Sequence, residues 1–320
     1  MAKIAILTSG GDAPGMNACL RACVRYAIYK DFDVYGVERG YKGLIDNNLT
    51  YMNNRSVSGI VQRGGTILRS ARCPEFIEVE WQHQAADTLK AYGIENLIVI
   101  GGDGSFRGAK ALSDNCGINV IGIPGTIDND LAYTDYTLGF DTAVNTVLWA
   151  INALRDTMNS HDRVSLLEVM GRNSGDIALY SAIAGGVEYV LVPEVPYDLD
   201  EIAKNIKFSQ KRGKTSNMIV LAEGAGDKDE ICAKIKEKTG ISVKTTTLGH
   251  IQRGGSPSMA DRILAAKFAV RAIDLISEKQ TNRVIGIKDN KIIDRDISEA
   301  LAEKHNFDKS LYEIARVLSL

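Results

Sequence analysis

Short apolar runs that alternate with longer segments of helical periodicity are the feature that most constrains how this chain can fold. The runs Ile4–Thr8, Leu97–Ile100 and Val120–Ile123 are almost entirely aliphatic and only four or five residues long. Such runs are typical of parallel strands that are buried on both faces. Strands that alternate with helices predict mostly parallel sheets flanked by helices. The chain is therefore predicted to be an α/β protein.

The same alternation continues along the rest of the chain. The predicted helices are Met16–Tyr29, Phe140–Met158, Ser174–Ala184, Asp198–Lys211, Lys228–Lys238 and Met259–Glu278. The further predicted strands are Val164–Val169, Tyr189–Val192, Met218–Ala222 and Val243–Leu248, followed by a hairpin of Val284–Lys288 with Lys291–Asp294.

Length and charge narrow the possible functions. At 320 residues the chain can bury a large core and divide into two domains. Its 38 Lys and Arg residues nearly balance 40 Asp and Glu residues, so no bulk charge would recruit nucleic acid or an anionic membrane. No apolar run approaches the roughly 20 residues of a membrane span, and a strand begins where a signal peptide would have its apolar region. The five cysteines follow no metal-ligand spacing. We therefore expect a cytoplasmic protein.

Two glycine-rich polar segments directly follow predicted strands. Gly101–Ser105 follows Leu97–Ile100, and Pro124–Asp130 follows Val120–Ile123. The carboxyl ends of parallel strands form the edge at which open α/β sheets bind ligands. Glycines let a backbone approach phosphate groups, and Asp103 can hold a divalent cation. A helix N-cap would also explain an isolated Asp at this place.

The second segment concentrates a hydroxyl and two carboxylates, on Thr126, Asp128 and Asp130. In extended backbone, residues two apart point the same way, so we expect both carboxylates on one side and Asn129 opposite. Two nearby carboxylates can divide their roles, one as proton acceptor and one as electrostatic partner. An Asx-rich turn is the alternative. Together the two segments favour transfer of a phosphoryl group onto an alcohol.

Further loops carry glycines and cations. Ser9–Asn17 joins the first strand to the first helix and can offer backbone amides to an anion, although it is neither a Walker A loop nor a dinucleotide fingerprint. A tight turn without a ligand therefore stays open there. His250, beside Gly249, Gly254 and Gly255, is either a core histidine or part of a ligand loop. A guanidinium gives a rigid donor fork for phosphate oxygens, and four arginines in loops at predicted strand ends favour a bisphosphorylated site: Arg72, Arg163, Arg172 and Arg253.

In their order and spacing, these segments closely resemble bacterial ATP-dependent 6-phosphofructokinases. The segments that carry the resemblance are Thr8–Asn17, Gly101–Ser105, Pro124–Asp130, Met170–Arg172 and Gly249–Gly255. The resemblance implies the phosphofructokinase fold, with two Rossmann-like domains whose mostly parallel sheets are flanked by helices. It also implies a larger ATP-binding domain, residues 1–138 plus about 252–304, and a smaller sugar-phosphate-binding domain, residues 139–251 plus about 305–320.

The resemblance further implies a reaction, the ATP-dependent phosphorylation of D-fructose 6-phosphate to fructose 1,6-bisphosphate, which is the committing step of glycolysis. Asp128 matches the base that takes the proton from the 1-hydroxyl of the sugar, and Arg72 matches the cation over the transferred phosphoryl group. The implied catalytic residues are Asp128, Arg72, Thr126, Asp130 and Arg172. The implied ATP contacts are Gly11, Arg72, Cys73, Gly102, Asp103, Gly104 and Ser105, with Asp103 also as the ligand of a Mg²⁺ cofactor.

Binding of the sugar phosphate and of effectors is implied in the same way. The matching sugar-phosphate positions are Thr126, Ile127, Asp128, Arg163, Met170, Gly171, Arg172, Glu223, Lys244, His250, Ile251, Gln252 and Arg253. Arg163 and Lys244 fall where a neighbouring subunit contributes, which implies a homotetramer with active sites formed between chains. The positions that match an effector site for ADP or phosphoenolpyruvate are Arg21, Arg25, Arg155, Gly186, Val187, Glu188, Arg212, Lys214, Thr215 and Ser216.

This sequence departs from the family pattern at a few positions. Lys244 replaces the usual arginine and gives a point charge in place of a bidentate fork, which predicts weaker binding of the sugar phosphate. Asn54 and Gly59 occupy effector positions that are commonly Arg and Asp, with Arg55 one residue late, so regulation is predicted to be muted.

The phosphoryl donor can be argued from Gly104 and Gly125, since pyrophosphate-using relatives tend to carry Asp and Lys there. Glycine at both positions favours ATP, and a pyrophosphate-dependent phosphofructokinase is the main alternative. A nicotinamide dinucleotide kinase shares the Gly-Gly-Asp-Gly loop but gives no reason for Gly249–Gly255. A non-catalytic sugar-phosphate sensor would not need Asp103, Asp128 and Arg72 together.

Overall fold

The computed structural model describes residues 2–159, 164–214 and 216–319. In chain order its strands and helices are β1 (Lys3–Thr8), α1 (Met16–Tyr29), β2 (Asp33–Val37), α2 (Gly40–Ile45), β3 (Leu49–Met52), α3 (Val79–Ala91), β4 (Asn96–Gly101), α4 (Asp103–Cys116), β5 (Asn119–Pro124), α5 (Phe140–Asn159), β6 (Val164–Val169), α6 (Asp176–Ala184), β7 (Tyr189–Leu191), α7 (Leu199–Lys211), β8 (Asn217–Ala222), α8 (Lys228–Thr239), β9 (Val243–Thr247), α9 (Met259–Ser277), β10 (Arg283–Lys288), β11 (Lys291–Asp296), α10 (Ile297–Ala302) and α11 (Lys309–Leu318). Two 3-10 helices lie at Pro74–Ile77 and Gly249–Arg253. The α/β prediction is confirmed.

The chain divides into two compact units. Unit 1 comprises Met1–Ile127, Leu131–Thr142 and Arg253–His305, and unit 2 comprises Asp128–Asp130, Ala143–Gln252 and Asn306–Leu320. The segments Pro124–Asp130 and Gly249–Gly255 are each divided between the two units.

Unit 1 is built on a sheet whose described strands lie in the order β11-β10-β5-β4-β1-β2-β3. The edge strands β3 and β11 are antiparallel to their neighbours, and the strands between them are parallel. β1, β4 and β5 are buried along almost their whole length, which is why they read as continuous aliphatic runs. Because these three strands are adjacent and parallel, the loops after Thr8, Gly101 and Pro124 leave the sheet side by side.

Unit 2 has a smaller sheet, with the described strands in the order β7-β8-β6-β9, all parallel. Its core includes Leu166, Ile219 and Leu221 from the two central strands, and Ile202 and Ile231 from α7 and α8. The neighbouring strands β6 and β8 end in register at Val169 and Ala222, so the loops that follow them start next to each other.

The starts of the helices differ in a way that matters for binding. Side chains accept backbone amide hydrogens at the starts of α7, α8, α9, α10 and α11, where the capping residues are Asp198, Asp227, Ser258, Asp296 and Asp308. By contrast, α1 and α4 begin after Gly15 and Gly102, which have no side chain to cap the helix. The first amides of α1 and α4 can therefore face an anionic ligand.

The predicted helices and strands are found with ends within two residues of those expected. The sequence patterns did not predict β2, β3, α2, α3, α4, α10 and α11. In the described ranges, no helix combines the length and the apolar character needed to cross a bilayer.

Candidate active site

Two strand-end loops of unit 1 pack closely against each other. Ser9 N donates a hydrogen bond to Ile100 O at 3.0 Å. A Cβ added at Gly101 would lie 2.5 Å from Ser105 Oγ and 2.7 Å from Ser9 O. Because only glycine permits this approach, the loop after β1 and the start of α4 form one continuous surface.

The loop after β5 extends this surface. Gly125 N donates to Gly101 O at 2.9 Å, and a Cβ at Gly102 would lie 3.5 Å from Thr126 Cβ. Thr137 Oγ1 donates to Thr126 O at 2.6 Å and fixes that residue. The structure thus brings the glycine-rich segment at 101–105 and Thr126 together within unit 1.

Asp103 is the first residue of α4, and Gly102 occupies the N-cap position. Arg107, one turn later, donates to the Asp103 carboxylate from Nε at 2.7 Å and from Nη2 at 3.2 Å. This hydrogen bond raises the pKa of Arg107. Within the described ranges, no group of three or more His, Cys, Asp or Glu side chains is placed to hold a metal. A lone carboxylate suits Mg²⁺ when other oxygen ligands and water complete the coordination, so Asp103 can serve as one ligand of such an ion.

Gly11 and Arg253 come together in unit 1. Arg253 Nη1 donates to Asp12 O at 3.2 Å. A Cβ at Gly11 would lie 2.5 Å from Arg253 Nη1, so a side chain at position 11 would displace the guanidinium. Arg253 is half-buried against this loop.

Arg72 and Cys73 directly precede the 3-10 helix Pro74–Ile77. The expectation that Arg72 follows a strand end is wrong, because the nearest strand before it, β3, ends at Met52. Arg72 is exposed. Burial raises the pKa of the Cys73 thiol to about 11, so Cys73 is neutral near pH 7 and is not a thiolate nucleophile.

In unit 2, a buried carboxylate meets an exposed arginine. Asp128 is 2% exposed, and its Oδ2 lies 3.5 Å from Nε of Arg172, whose side chain is 66% exposed. Asn129 has a φ of 53°, so the expectation of extended backbone between Asp128 and Asp130 is wrong. The left-handed turn is accompanied by a hydrogen bond from Asn129 Nδ2 to Asp176 Oδ2 at 2.9 Å.

The loop after β6 holds Arg172 in an unusual conformation. Gly171 and Arg172 have φ values of 136° and 51°. Glu223 Oε1 accepts a hydrogen bond from Arg172 N at 2.9 Å. A Cβ at Gly224 would lie 3.1 Å from the carbonyl carbon of Arg172 and closer still to its oxygen. The loop after β8 therefore lies directly against the Arg172 backbone and limits its movement.

The 3-10 helix Gly249–Arg253 is tied to the same loop. Gln252 is fully buried, its Nε2 donates to Gly249 O at 3.0 Å, and its Oε1 accepts from Met170 N at 3.3 Å. His250 and Ile251 are exposed, so the interpretation of His250 as a core histidine is wrong. Unit 2 thus brings Asp128, Met170, Arg172, Glu223 and Gln252 together.

Two positions, Lys244 and Arg163, are expected at a subunit boundary. Lys244 is exposed on β9. Arg163 lies outside the described residues.

A second charged cluster of unit 2 surrounds Glu188. Its carboxylate accepts from Met218 N at 2.9 Å, and it lies 3.2 Å from Lys214 Nζ and 3.7 Å from Arg155 Nη1. Arg155 Nη2 also donates to Gly186 O. The structure therefore joins four of the ten positions proposed for an effector. Val187 is buried beside them, Arg212 is exposed, Ser216 is half-buried, Arg21 and Arg25 lie on α1 of unit 1, and Thr215 lies outside the described residues.

Two residues that shape this site, Asp176 and Gly224, were not predicted from the sequence. A glycine that follows Glu223 at the end of an apolar strand was the available signal for Gly224. Asp176 carried no local signal, because its partner Asn129 is far away in the sequence.

Known proteins resemble this chain over most or all of its length. A sequence profile described as "Phosphofructokinase" matches residues 3–276. The protein named ATP-dependent 6-phosphofructokinase of Clostridium acetobutylicum is 59% identical over 319 residues, with 100% of both chains covered. That of Clostridioides difficile is 57% identical over 320 residues, again with 100% of both chains covered.

Solved structures agree on the fold. Phosphofructokinase from Saccharomyces cerevisiae has a TM-score of 0.86 and 34% identity, and the match covers 99% of this chain but 47% of the yeast chain. This chain therefore spans about half the length of its yeast relative. A pyrophosphate-dependent phosphofructokinase from Marinobacter aquaeolei has a TM-score of 0.85 at 20% identity, with 96% of this chain and 86% of that chain covered, and shares the fold alone.

Proposed function

The chain belongs to the phosphofructokinase family, and from that premise we propose that it transfers the terminal phosphoryl group of ATP to the 1-hydroxyl of fructose 6-phosphate. The observation that carries this function is the buried Asp128 carboxylate beside the Arg172 guanidinium, Nε to Oδ2 3.5 Å. Full-length identity of 59% to a protein named ATP-dependent 6-phosphofructokinase supports the same reaction. The enzyme is thus a phosphotransferase with an alcohol acceptor.

Asp128 is the proposed general base. Phosphoryl transfer depends mainly on alignment and on stabilising the charge that spreads over the transferring oxygens. As the 1-hydroxyl oxygen attacks phosphorus, a carboxylate must take up the proton. Arg172 is proposed to orient the Asp128 carboxylate, while Thr126 and Asp130 flank the reacting centre.

ATP binding is assigned to residues of unit 1. Amides at the start of α4, with Gly11, Gly102, Gly104 and Ser105, would face the phosphates. Arg72 would lie over the transferred group, and the neutral Cys73 would pack beside the nucleotide. Asp103 would hold Mg²⁺, which supplies positive charge against the phosphate oxygens when bound.

Sugar-phosphate binding is assigned mainly to unit 2. The proposed contacts within one chain are Thr126, Ile127, Asp128, Met170, Gly171, Arg172, Glu223, His250, Ile251, Gln252 and Arg253. Two hydrogen bonds support this assignment, one from Met170 N to Gln252 and one from Arg172 N to Glu223. They order these loops before the ligand arrives. The boundary between an ATP-binding and a sugar-binding domain stays a prediction.

A homotetramer with shared sites, an effector site around Glu188 and a cytoplasmic location also stay proposals. The exposed position of Lys244 is compatible with a reach towards a neighbouring chain. The ion pairs of Glu188 with Lys214 and Arg155 support an effector site, since their cations are exposed enough to meet an anion.

A donor assay tests the proposed function. With fructose 6-phosphate and Mg²⁺, ATP should give fructose 1,6-bisphosphate, and pyrophosphate should give little or none. Gly104→Asp should impair ATP use through like-charge repulsion against the phosphates. Gly104→Ala is the matched control, since a Cβ at this position meets nothing within 4 Å among the described residues. Faster turnover with pyrophosphate than with ATP would refute the donor assignment, and no product from either would refute the reaction.

A further inference from the structure

We propose that Asn17 is a positioning residue for phosphoryl transfer, which acts by setting the place of the segment that carries Arg72. The proposal rests on the proposed function, because it takes Arg72 to lie over the transferred phosphoryl group. It adds a residue that touches neither substrate.

Asn17 holds a distant turn with both ends of its side-chain amide. It lies in the first turn of α1 and is 1% exposed. Its Nδ2 donates to Arg63 O at 3.2 Å and to Gly64 O at 3.0 Å. Its Oδ1 accepts from Ile67 N at 2.8 Å. One buried amide thus fixes three backbone groups of residues 63–67, a segment without regular secondary structure.

Thr8 holds the next residues towards Arg72. Its Oγ1 donates to Arg69 O at 2.9 Å and lies 2.9 Å from Thr66 Oγ1. Arg69 has a φ of 58°, a conformation that a non-glycine residue adopts only when its surroundings impose it. Arg72 is three residues beyond Arg69. The backbone that leads to Arg72 is therefore held in place at Arg69.

The same segment also braces the chain that follows Arg253. Ser256 Oγ donates to Gln62 O at 2.8 Å. A Cβ at Gly64 would lie 3.1 Å from the carbonyl carbon of Gly255 and closer still to its oxygen. Asn17 holds Gly64 in place. It therefore supports both the segment that carries Arg72 and the segment that carries Arg253, which belong to unit 1.

The hydrogen-bond partners of residue 17 require a side-chain amide, with one donor group and one acceptor group. Two carbonyl oxygens face Nδ2 and one amide hydrogen faces Oδ1. Asn17→Asp keeps the shape and the acceptor but turns an oxygen towards both carbonyls, so the 63–67 turn is pushed away. A shift of ~1 Å in a group that stabilises the transition state costs on the order of 10²-fold in rate. We expect kcat to fall by that order, with the KM for each substrate changed by a factor of a few.

The experiment is a double-mutant cycle with Arg72. The kcat of the unaltered protein, Asn17→Asp, Arg72→Ala and the double variant is measured with ATP and fructose 6-phosphate. We expect Asn17→Asp to lower kcat strongly in the unaltered background and only slightly in the Arg72→Ala background. Asn119→Asp is the matched control, because it makes the same change in a half-buried amide at the amino end of β5 and should leave kcat near the unaltered value.

A second pair of variants tests the same support if Asn17→Asp does not fold. Thr8→Val removes the hydroxyl that holds Arg69 O, and Thr8→Ser keeps it. Thr8→Ser should recover most of the kcat that Thr8→Val loses.

The outcomes separate the proposal from the function on which it rests. Equal fold-losses from Asn17→Asp in both backgrounds, or equal losses from Thr8→Val and Thr8→Ser, would overturn the positioning role while the reaction stands. An Arg72→Ala enzyme with unaltered kcat would overturn both the role of Arg72 and this proposal. Failure of the unaltered protein to make fructose 1,6-bisphosphate would overturn the proposed function itself.

Discussion

Replacing Gly224 with alanine would press a methyl group against the backbone of the loop that carries Arg172. The φ of Gly224 lies outside the left-handed region, so alanine can adopt its backbone conformation. The obstacle is the contact with the carbonyl group of Arg172, whose carbon would be 3.1 Å from the new Cβ and whose oxygen would be nearer. Both sides of this contact are backbone, so no side chain can swing away to relieve it.

The size of the effect follows from that contact. Real Cβ atoms essentially never come within 3.0 Å of another heavy atom, so the Arg172 carbonyl must move away. The 2.9 Å bond from Arg172 N to Glu223 and the 3.5 Å approach to Asp128 depend on that backbone. A misplacement of ~1 Å at a reacting centre costs on the order of 10²-fold, about 2.7 kcal/mol of barrier. We expect this loss in kcat/KM for fructose 6-phosphate, with little change in the KM for ATP.

Steady-state kinetics at saturating ATP would measure the change, with thermal unfolding as a check on folding. Gly226→Ala is the matched control, two residues further on. Its Cβ would lie 2.5 Å from Tyr197 Oη, the far end of a side chain that can rotate, so activity should stay close to the unaltered value. If Gly224→Ala kept kcat/KM for fructose 6-phosphate within a factor of a few, the role of Gly224 in limiting movement of the Arg172 backbone would be refuted.

Asp128→Asn keeps the shape but removes the base, so kcat should fall by roughly 10²–10⁴-fold with smaller changes in substrate binding; turnover near that of the unaltered protein would remove Asp128 from this role. Inactive Arg163→Ser and Asp128→Asn chains, dissociated and reassembled together, should regain activity if sites are shared between chains, and mixed oligomers without activity would speak against shared sites. Asp261→Asn should destabilise the fold by roughly 1.5–3 kcal/mol, because Asp261 accepts from Gly139 N at 2.8 Å and from Thr142 N at 2.9 Å with separate oxygens. Burial raises the pKa of Asp261, so the folded state holds this proton more tightly than the unfolded chain does. The stabilisation from Asp261 should therefore be largest at acid pH and shrink as pH rises from about 4 through the raised pKa. Urea unfolding of both proteins across that range would measure it, and a stabilisation that grows with pH would refute the prediction.

Much of the fold could be predicted because the buried parallel strands carry their own signal. β1, β4 and β5 are aliphatic on both faces, and α1 was predicted with the bounds Met16–Tyr29 that the structure has. The strands β2 and β3 were missed because Asp33–Val37 and Leu49–Met52 are short, half-buried and mixed in polarity. Their strand character comes from pairing with each other and with β1, which no local pattern records.

The candidate site, like the fold, could be predicted from the sequence only in part. Loops at the ends of strands could be located from sequence, because a glycine-rich segment after an aliphatic run has a recognisable spacing. The left-handed φ of Asn129 could not, since two Asp residues around an Asn fit an extended strand or a turn equally well in sequence. The bond from Asn129 to Asp176 and those from Asn17 to residues 63–67 join residues 46 to 50 positions apart. Such pairs are set by tertiary packing, so no local periodicity in the sequence indicates them.

The sheet of unit 1 has a consequence for how the protein emerges from the ribosome. β1, β4 and β5 are made early, but β5 pairs with β10, which is made only after every strand of the smaller sheet. Until residues 283–296 are synthesised, β5 is an exposed aliphatic edge, and such edges recruit other chains. The four strands of unit 2, by contrast, all lie between Val164 and Thr247 and can pair as soon as they have left the exit tunnel. The sheet that begins first in the chain is therefore completed last, and chains that end before β10 should aggregate during synthesis.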